Sequence, residues 1–241
     1  VTDAAFRAVL AAPVLAPETG LPEGELAAGI PLGEAIHAVL ARRDQNAGRR
    51  ATAIRRLWEA ASLPEDLAAE LGAAYRQLGG GTAAPEPLVA IRSSAFEEDT
   101  EQTAWAGQFD TFLFVSGEAA VQAHLRRAWA GLWSERAIHQ REALGTDPGQ
   151  AGGGVIVQRM ADARVAGVLQ TAYVAGGRLR EMVINAGLGL GEGVVSGAVD
   201  VDHILVSKEA GFGPEPLRFR YTVGDKRQRV VFDARRGTGT R

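Results

Sequence analysis

The stretch VAIRSSAFEEDTEQTAWAGQFDTFLFV, from Val89 to Val115, decides the fold. It opens on an apolar, strand-like run, Val89-Ala90-Ile91, and closes on FDTFLFV, which is rich in β-prone aromatic and branched residues. Between them lie Arg92, Ser93 and Ser94, an acidic run at Glu97, Glu98 and Asp99, and a glycine at Gly107. An arginine at a strand end offers a rigid fork of donors that stays charged at neutral pH. Serine and threonine hydroxyls and free backbone N–H groups can add to it, which suits a phosphate-binding edge. The competing reading pairs Arg92 with Glu97, Glu98 or Asp99 in a surface network, and spacing alone does not choose between them.

Outward from this stretch the chain changes character. Residues 1–81 read as mainly helical. Helices are expected over 2–12, 32–43 and 51–61, each with apolar residues at helical spacing. A fourth is expected to start at Ser62-Leu63-Pro64-Glu65, which has the form of a capping box, and to stop at Gly79-Gly80-Gly81. Residues 82–241 read as β-rich. A long helix over Glu118–Arg141 carries Val121, Leu125, Trp129, Leu132 and Trp133 on one face, and these tryptophans are expected in the core. Strands follow at 155–160, 165–172, 179–184 and 203–208, with a final hairpin of LRFRYTV and QRVVFDA around Gly224-Asp225. The fold class expected is α+β: a helical N-terminal part, residues 1–81, and a mainly antiparallel β-rich part with a long packed helix, residues 82–241.

Composition narrows the function. The 241 residues carry a net charge of -3 and no cysteine. Broad attraction to nucleic acid is not indicated. Cysteine-based metal sites and disulfides are excluded, and a cytoplasmic setting is expected. No apolar run reaches the length of a membrane span. The histidines, His37, His124, His139 and His203, are scattered, and the one compact acidic group, Asp200-Val-Asp202-His203, fits no zinc spacing, so no metal ligand is assigned. Neither the phosphate-cradling GxxxxGK[ST] nor GxSxG occurs.

Two further stretches invite a ligand. Gln158, in VIVQRM, stands near a strand end where backbone groups can read an adenine edge. Asn185–Gly193, NAGLGLGEG, places glycines at 187, 189, 191 and 193, with another at 197. Each would cost about 0.5–1 kcal/mol relative to alanine inside a strand, so the cluster needs a backbone reason, either tight turns or close approach to a ligand. Glu192 is the carboxylate inside it.

Taken together in order, IRSSAFEED, WAGQFDTFLFV, RAWAGLWSERAIHQRE, VIVQRMADARVAGVLQTA and VINAGLGLGEGVVSGAVDVDHILV resemble the nucleotide-binding domain of the PEP-utilising dikinases. That family includes phosphoenolpyruvate synthase, pyruvate phosphate dikinase and rifampicin phosphotransferase. The resemblance implies an ATP-grasp-like fold and ATP with Mg²⁺ as cofactors. It implies that Arg92 contacts the ATP phosphates as the catalytic group, that Gly107 and Thr111 lie on the loop covering them, and that Val157, Gln158 and Met160 border the adenine. Glu192 joins this set through the glycine-rich match. It also implies two partners, in cis or in trans: a swivelling domain whose histidine is phosphorylated, and an acceptor-substrate domain. Nucleic acid and membrane are not among them.

Some family features differ. The glycine-glycine-lysine segment and the Leu-Gln-x-Arg segment with its Mg²⁺-binding glutamate are not found within residues 1–241. The usual Ser-Phe-Ala-Gly-Gln is Ala104-Trp105-Ala106-Gly107-Gln108, and Thr-Ala-(Asp/Asn)-Pro is Thr171-Ala172-Tyr173-Val174. The expectation is the ATP-binding part of a larger phosphotransferase, most like phosphoenolpyruvate synthase, incomplete at both ends and inactive in isolation. The alternatives are a rifampicin phosphotransferase-like enzyme or a catalytically degenerate nucleotide-binding or structural partner.

Overall fold

The computed structural model describes residues 1–14, 29–80, 86–95, 110–208, 218–233 and 237–240. The chain forms two compact units, Val1–Met160 and Ala161–Arg241. The expected boundary at residues 81/82 lies outside the described residues. Phe6 of the first helix and Ile91 of the first strand belong to one core.

In the first unit the helices are α1 (Asp3–Ala11), α2 (Leu32–Leu40), α3 (Ala47–Ala60), α4 (Glu65–Leu78), α5 (Glu118–Ala130) and α6 (Glu135–Leu144). They pack with a three-stranded antiparallel sheet of order β2-β1-β3: β1 is Val89–Ala95, β2 is Thr111–Val115 and β3 is Gly153–Arg159. Four helices precede the first strand, as the sequence suggested, and α5 and α6 lie between β2 and β3. The centre of its core is aromatic. Phe6 stacks on Trp58 at 5.7 Å and on Trp133 at 6.0 Å, and Trp58 meets Trp129 at 5.6 Å. Trp129 and Trp133 are buried here, as expected of core anchors. Beside them Arg50, 4% exposed, makes a two-pronged ion pair with Glu142 at 2.7 and 3.1 Å, and Arg43 adds a third contact at 3.2 Å. The Arg50 hydrogen bond holds the Glu142 carboxyl below its ordinary range.

Two local expectations fail for physical reasons. The single helix over Glu118–Arg141 is broken. A 3-10 turn covers Gly131–Trp133, and Ser134 is extended and caps α6 by accepting from the Ala137 N–H at 3.2 Å. The break lets the Trp133 indole donate to the Pro148 carbonyl at 2.8 Å. The capping box at Ser62 does not form either. Pro64 is the N-cap residue of α4 and no side chain caps that end. A cap does form at α3, where Asn46 accepts from the Arg49 N–H at 2.8 Å.

The second unit is a four-stranded antiparallel sheet of order β4-β5-β6-β7, with β4 at Val165–Gln170, β5 at Glu181–Leu188, β6 at Asp202–Ser207 and β7 at Phe219–Thr222. A short helix, α7 (Gly191–Val195), packs on β4 and β5. The expected terminal hairpin is not there. β7 pairs with β6, and β8 (Val230–Asp233) pairs instead with β9 (Gly237–Thr240). Gly224 is not a hairpin turn, because its N–H donates to Asp202 of β6 at 2.9 Å. Among the described residues no helix is long and apolar enough to cross a membrane.

The aromatic cluster sets the stability of the first unit. Trp58→Ala should lower its unfolding free energy by about 3–5 kcal/mol, read as a shift of the urea midpoint with little change in slope.

Candidate functional site

β1 lies between two partners, so its register fixes which side chains share a face. Arg92 stands opposite Thr111 of β2 and Ile156 of β3, and Ala90 stands opposite Gln158. Facing residues of an antiparallel pair, and residues two apart along a strand, lie on the same side. Arg92, Thr111, Ile156 and Gln158 therefore form one outer face, and all four are exposed. The other face carries Val89 and Ile91, which are fully buried, and Val155, 1% exposed. Among the described residues the Arg92 guanidinium has no ion pair or hydrogen-bond partner. The acidic run expected to compete for it, residues 97–99, lies outside the described residues, as does Gly107.

Val157 is placed differently from its neighbours. It stands opposite Ile91, is half-buried, and packs its side chain against the core. Its backbone tells another story. β3 is an edge strand, and at Val155 that edge meets Val1: the Val1 nitrogen donates to the Val155 carbonyl at 2.9 Å, and the Val155 N–H donates to the Val1 carbonyl at 3.0 Å. Hydrogen-bonding direction alternates along a strand. The N–H and C=O of Val157 and Arg159 thus point to the same outer edge, where no further strand pairs among the described residues. An edge offering a donor and an acceptor from one residue matches the donor and acceptor pattern of a planar heterocycle.

Met160 follows β3. Its N–H donates to the Leu88 carbonyl at 2.9 Å, and its sulfur accepts from the Phe114 N–H at 3.0 Å. The structure thus gathers Arg92, Thr111, Gln158 and Met160 on or beside one sheet, with Val157 contributing backbone. Ile156, 51% exposed on the row of Arg92, was not singled out from the sequence, although alternation through VIVQRM would have placed it there. Glu192 belongs to the second unit, in the first turn of α7, exposed.

A phosphate-bearing ligand fits what is present: a guanidinium that is exposed and has no partner among the described residues, a hydroxyl directly across from it, and a strand edge that pairs with no further described strand. Magnesium does not find a home in the same way. Among the described residues no three His, Asp or Glu side chains stand together as a metal cage.

Three glycines of the cluster have a steric reason within the chain itself. A Cβ at Gly187 would lie 3.2 Å from Val194 and from Val199, and one at Gly193 would lie 2.9 Å from Val199 and from Val230. Gly189 has φ +81, and a Cβ there would collide with the Val230 carbonyl. These glycines admit the chain's own valines.

The family model for the pyruvate phosphate dikinase AMP/ATP-binding domain matches residues 26–241. The chain belongs to this family of nucleotide-binding domains from PEP-utilising dikinases, as the sequence motifs implied. Among its relatives are phosphoenolpyruvate synthase of Pyrococcus furiosus, 39% identical over 65% of this chain and 19% of the relative, and phosphoenolpyruvate synthase of Aeropyrum pernix, 42% identical over 56% of this chain and 16% of the relative. Rifampicin phosphotransferase of a Streptomyces species is 37% identical over 86% of this chain and 22% of the relative. The chain thus spans about a fifth of the length of the curated relatives it matches.

Within the second unit, Asp202 of the DVDH group gathers polar partners. Its carboxylate accepts from the Tyr221 hydroxyl, the Lys226 ammonium and the Gly224 N–H. Lys226, then Tyr221, then Gly224 hold its pKa down to about 2 from an ordinary 3.8, and the same bond raises Tyr221. A depressed carboxyl pKa stabilises the fold above the unfolded value and loses that contribution as pH falls through the folded value. Asp202→Asn should therefore flatten the fall in melting temperature between about pH 4 and pH 2, measured by thermal denaturation across that range.

Proposed function

We propose that this chain is the ATP-binding part of a dikinase-type phosphotransferase of the phosphoenolpyruvate synthase kind, with an ATP-grasp-like fold. The observation that carries the proposal is the exposed Arg92, without an ion pair or hydrogen-bond partner among the described residues, directly opposite the exposed Thr111. In phosphoryl transfer the protein mainly positions groups and stabilises charge. Arg92 would take two phosphate oxygens in its fork, and the Thr111 hydroxyl would donate to a third. Gly107 is proposed for the loop over those phosphates. The Val157 N–H and C=O would read the adenine edge, with Gln158 and Met160 beside it. Glu192 is retained on the glycine-rich family match alone. When bound, Mg²⁺ would offset negative charge on the phosphates.

The product of this half-reaction would be a phosphohistidine on a separate swivelling domain: a ring nitrogen would bond the β-phosphorus as its bond to the α-phosphate breaks, with AMP leaving and water taking the γ-phosphoryl as phosphate. The phosphohistidine would then serve an acceptor-substrate domain, in cis or in trans. Turnover therefore requires those partners, and the 241 residues by themselves are proposed to be inactive. A cytoplasmic setting, without nucleic acid or membrane, goes with this reading. A rifampicin phosphotransferase-like assignment is the second reading. One observation favours it: that relative matches 86% of this chain, more than the 65% matched by the Pyrococcus furiosus enzyme.

Arg92→Ala should weaken ATP binding by about 10- to 100-fold, the worth of a charge-assisted hydrogen bond, with an unchanged urea midpoint. Isothermal titration and denaturation read the two quantities separately, and parallel loss of both would defeat the assignment. In the full-length protein, label from the β-phosphate of ATP should appear on a histidine. Label from the γ-phosphate alone would point to a simple kinase.

A further inference from the structure

β1 and β2 do not pair in a single register. Val89 stands opposite Val115, yet Ile91 stands opposite Phe112 and Arg92 opposite Thr111. Leu113 and Phe114 together therefore face Ala90, a two-against-one bulge. Phe114 carries φ +60, the left-handed region that a bulky side chain rarely enters.

The bulge decides which way Thr111 points. Had the register of Val89 and Val115 continued, Thr111 would stand opposite Ser93 and Phe112 opposite Arg92. A one-residue slip sends each side chain of a strand to the other face. Thr111 would then turn toward the core and Phe112 outward. With the bulge in place, Phe112 packs against the core, edge-on to His124 of α5 at 5.0 Å, and Thr111 stays beside Arg92.

A bulge leaves backbone groups outside the ladder, and they need partners. The Phe114 N–H finds the Met160 sulfur at 3.0 Å. Met160 is itself anchored to the sheet through its N–H and the Leu88 carbonyl at 2.9 Å. We infer that Met160 is a positioning residue for Thr111: its thioether holds the β2 bulge whose one-residue shift sets the hydroxyl beside Arg92. The inference rests on the proposed function only for what Thr111 and Arg92 bind. The bulge and its thioether contact stand apart from it.

Met160→Leu keeps the volume and apolar character and removes the acceptor, whereas Met160→Gln restores an acceptor at similar reach. In the full-length protein, amide exchange at Phe114 should quicken by about two- to tenfold in Met160→Leu, the net worth of one hydrogen bond, and return toward the original rate in Met160→Gln. The affinity for ATP relative to that for adenosine gives the second readout, because adenosine carries any contact Met160 makes with the base and has no phosphate for Thr111 to meet. Met160→Leu and Thr111→Ala should each reduce that ratio, and the double variant should reduce it about as Thr111→Ala does, because both remove the same hydroxyl contact. Unchanged exchange at Phe114 in Met160→Leu would overturn the inference. So would a ratio that Met160→Leu leaves unchanged, which would show Met160 acting on the base alone. If ATP binds none of these proteins, including the unsubstituted one, the functional reading fails while the exchange rates still decide what Met160 does to the bulge.

Discussion

The pinning of β1 between two antiparallel neighbours is the constraint on which the first unit depends. Its residues alternate, so Ile91 goes fully into the core while Arg92, the next residue, goes fully to the other side. Core and candidate site are thus two faces of one strand. Burial of Val89, Ile91 and Val155 holds the register, and the register is what aims Arg92, Thr111 and Gln158 together. A defect on the inner face would be felt on the outer one through backbone hydrogen bonds, without any chain of side-chain contacts between them.

The helices support that strand more than the sequence boundary at residue 81 suggests. Phe6 from α1, Trp58 from α3, and Trp129 and Trp133 from the segment after β2 close around one aromatic centre, which is continuous with the inner face of the sheet. The Arg50–Glu142 pair ties α3 to α6 at the side of that core. Taking the partner away from a buried guanidinium costs far more than an exposed pair is worth, so this contact also fixes which helices are neighbours.

Much of this was legible in the residues, where periodicity speaks. The tryptophans of the long helical segment have core spacing and lie in the core. The strand runs around Arg92 and Gln158 fall where alternation puts them. Signals that depend on distant partners were not legible. Ser62 to Glu65 has the pattern of a cap, yet Pro64 takes the N-cap position. The terminal segments look like a hairpin because both are β-prone, but β7 pairs with β6, and Asp202 draws Gly224 and Lys226 toward β6. At the site, the bulge at Leu113 and Phe114 has no glycine or other local mark, so the pairing of Thr111 with Arg92 could not be read from spacing.

The glycines of Asn185–Gly193 reach further along the chain than any turn would require. Gly189 and Gly193 are kept bare by Val230, with which Gly189 forms a parallel bridge and to whose carbonyl the Leu190 N–H donates at 3.0 Å. Two segments some forty positions apart thus share one steric account: at Gly189 the Val230 backbone leaves no room for any side chain, and at Gly193 the space is filled by the Val199 and Val230 side chains together. At Gly189 and Gly193 the bare backbone is, in this unit, the imprint of Val230, a residue from the far end of the same unit.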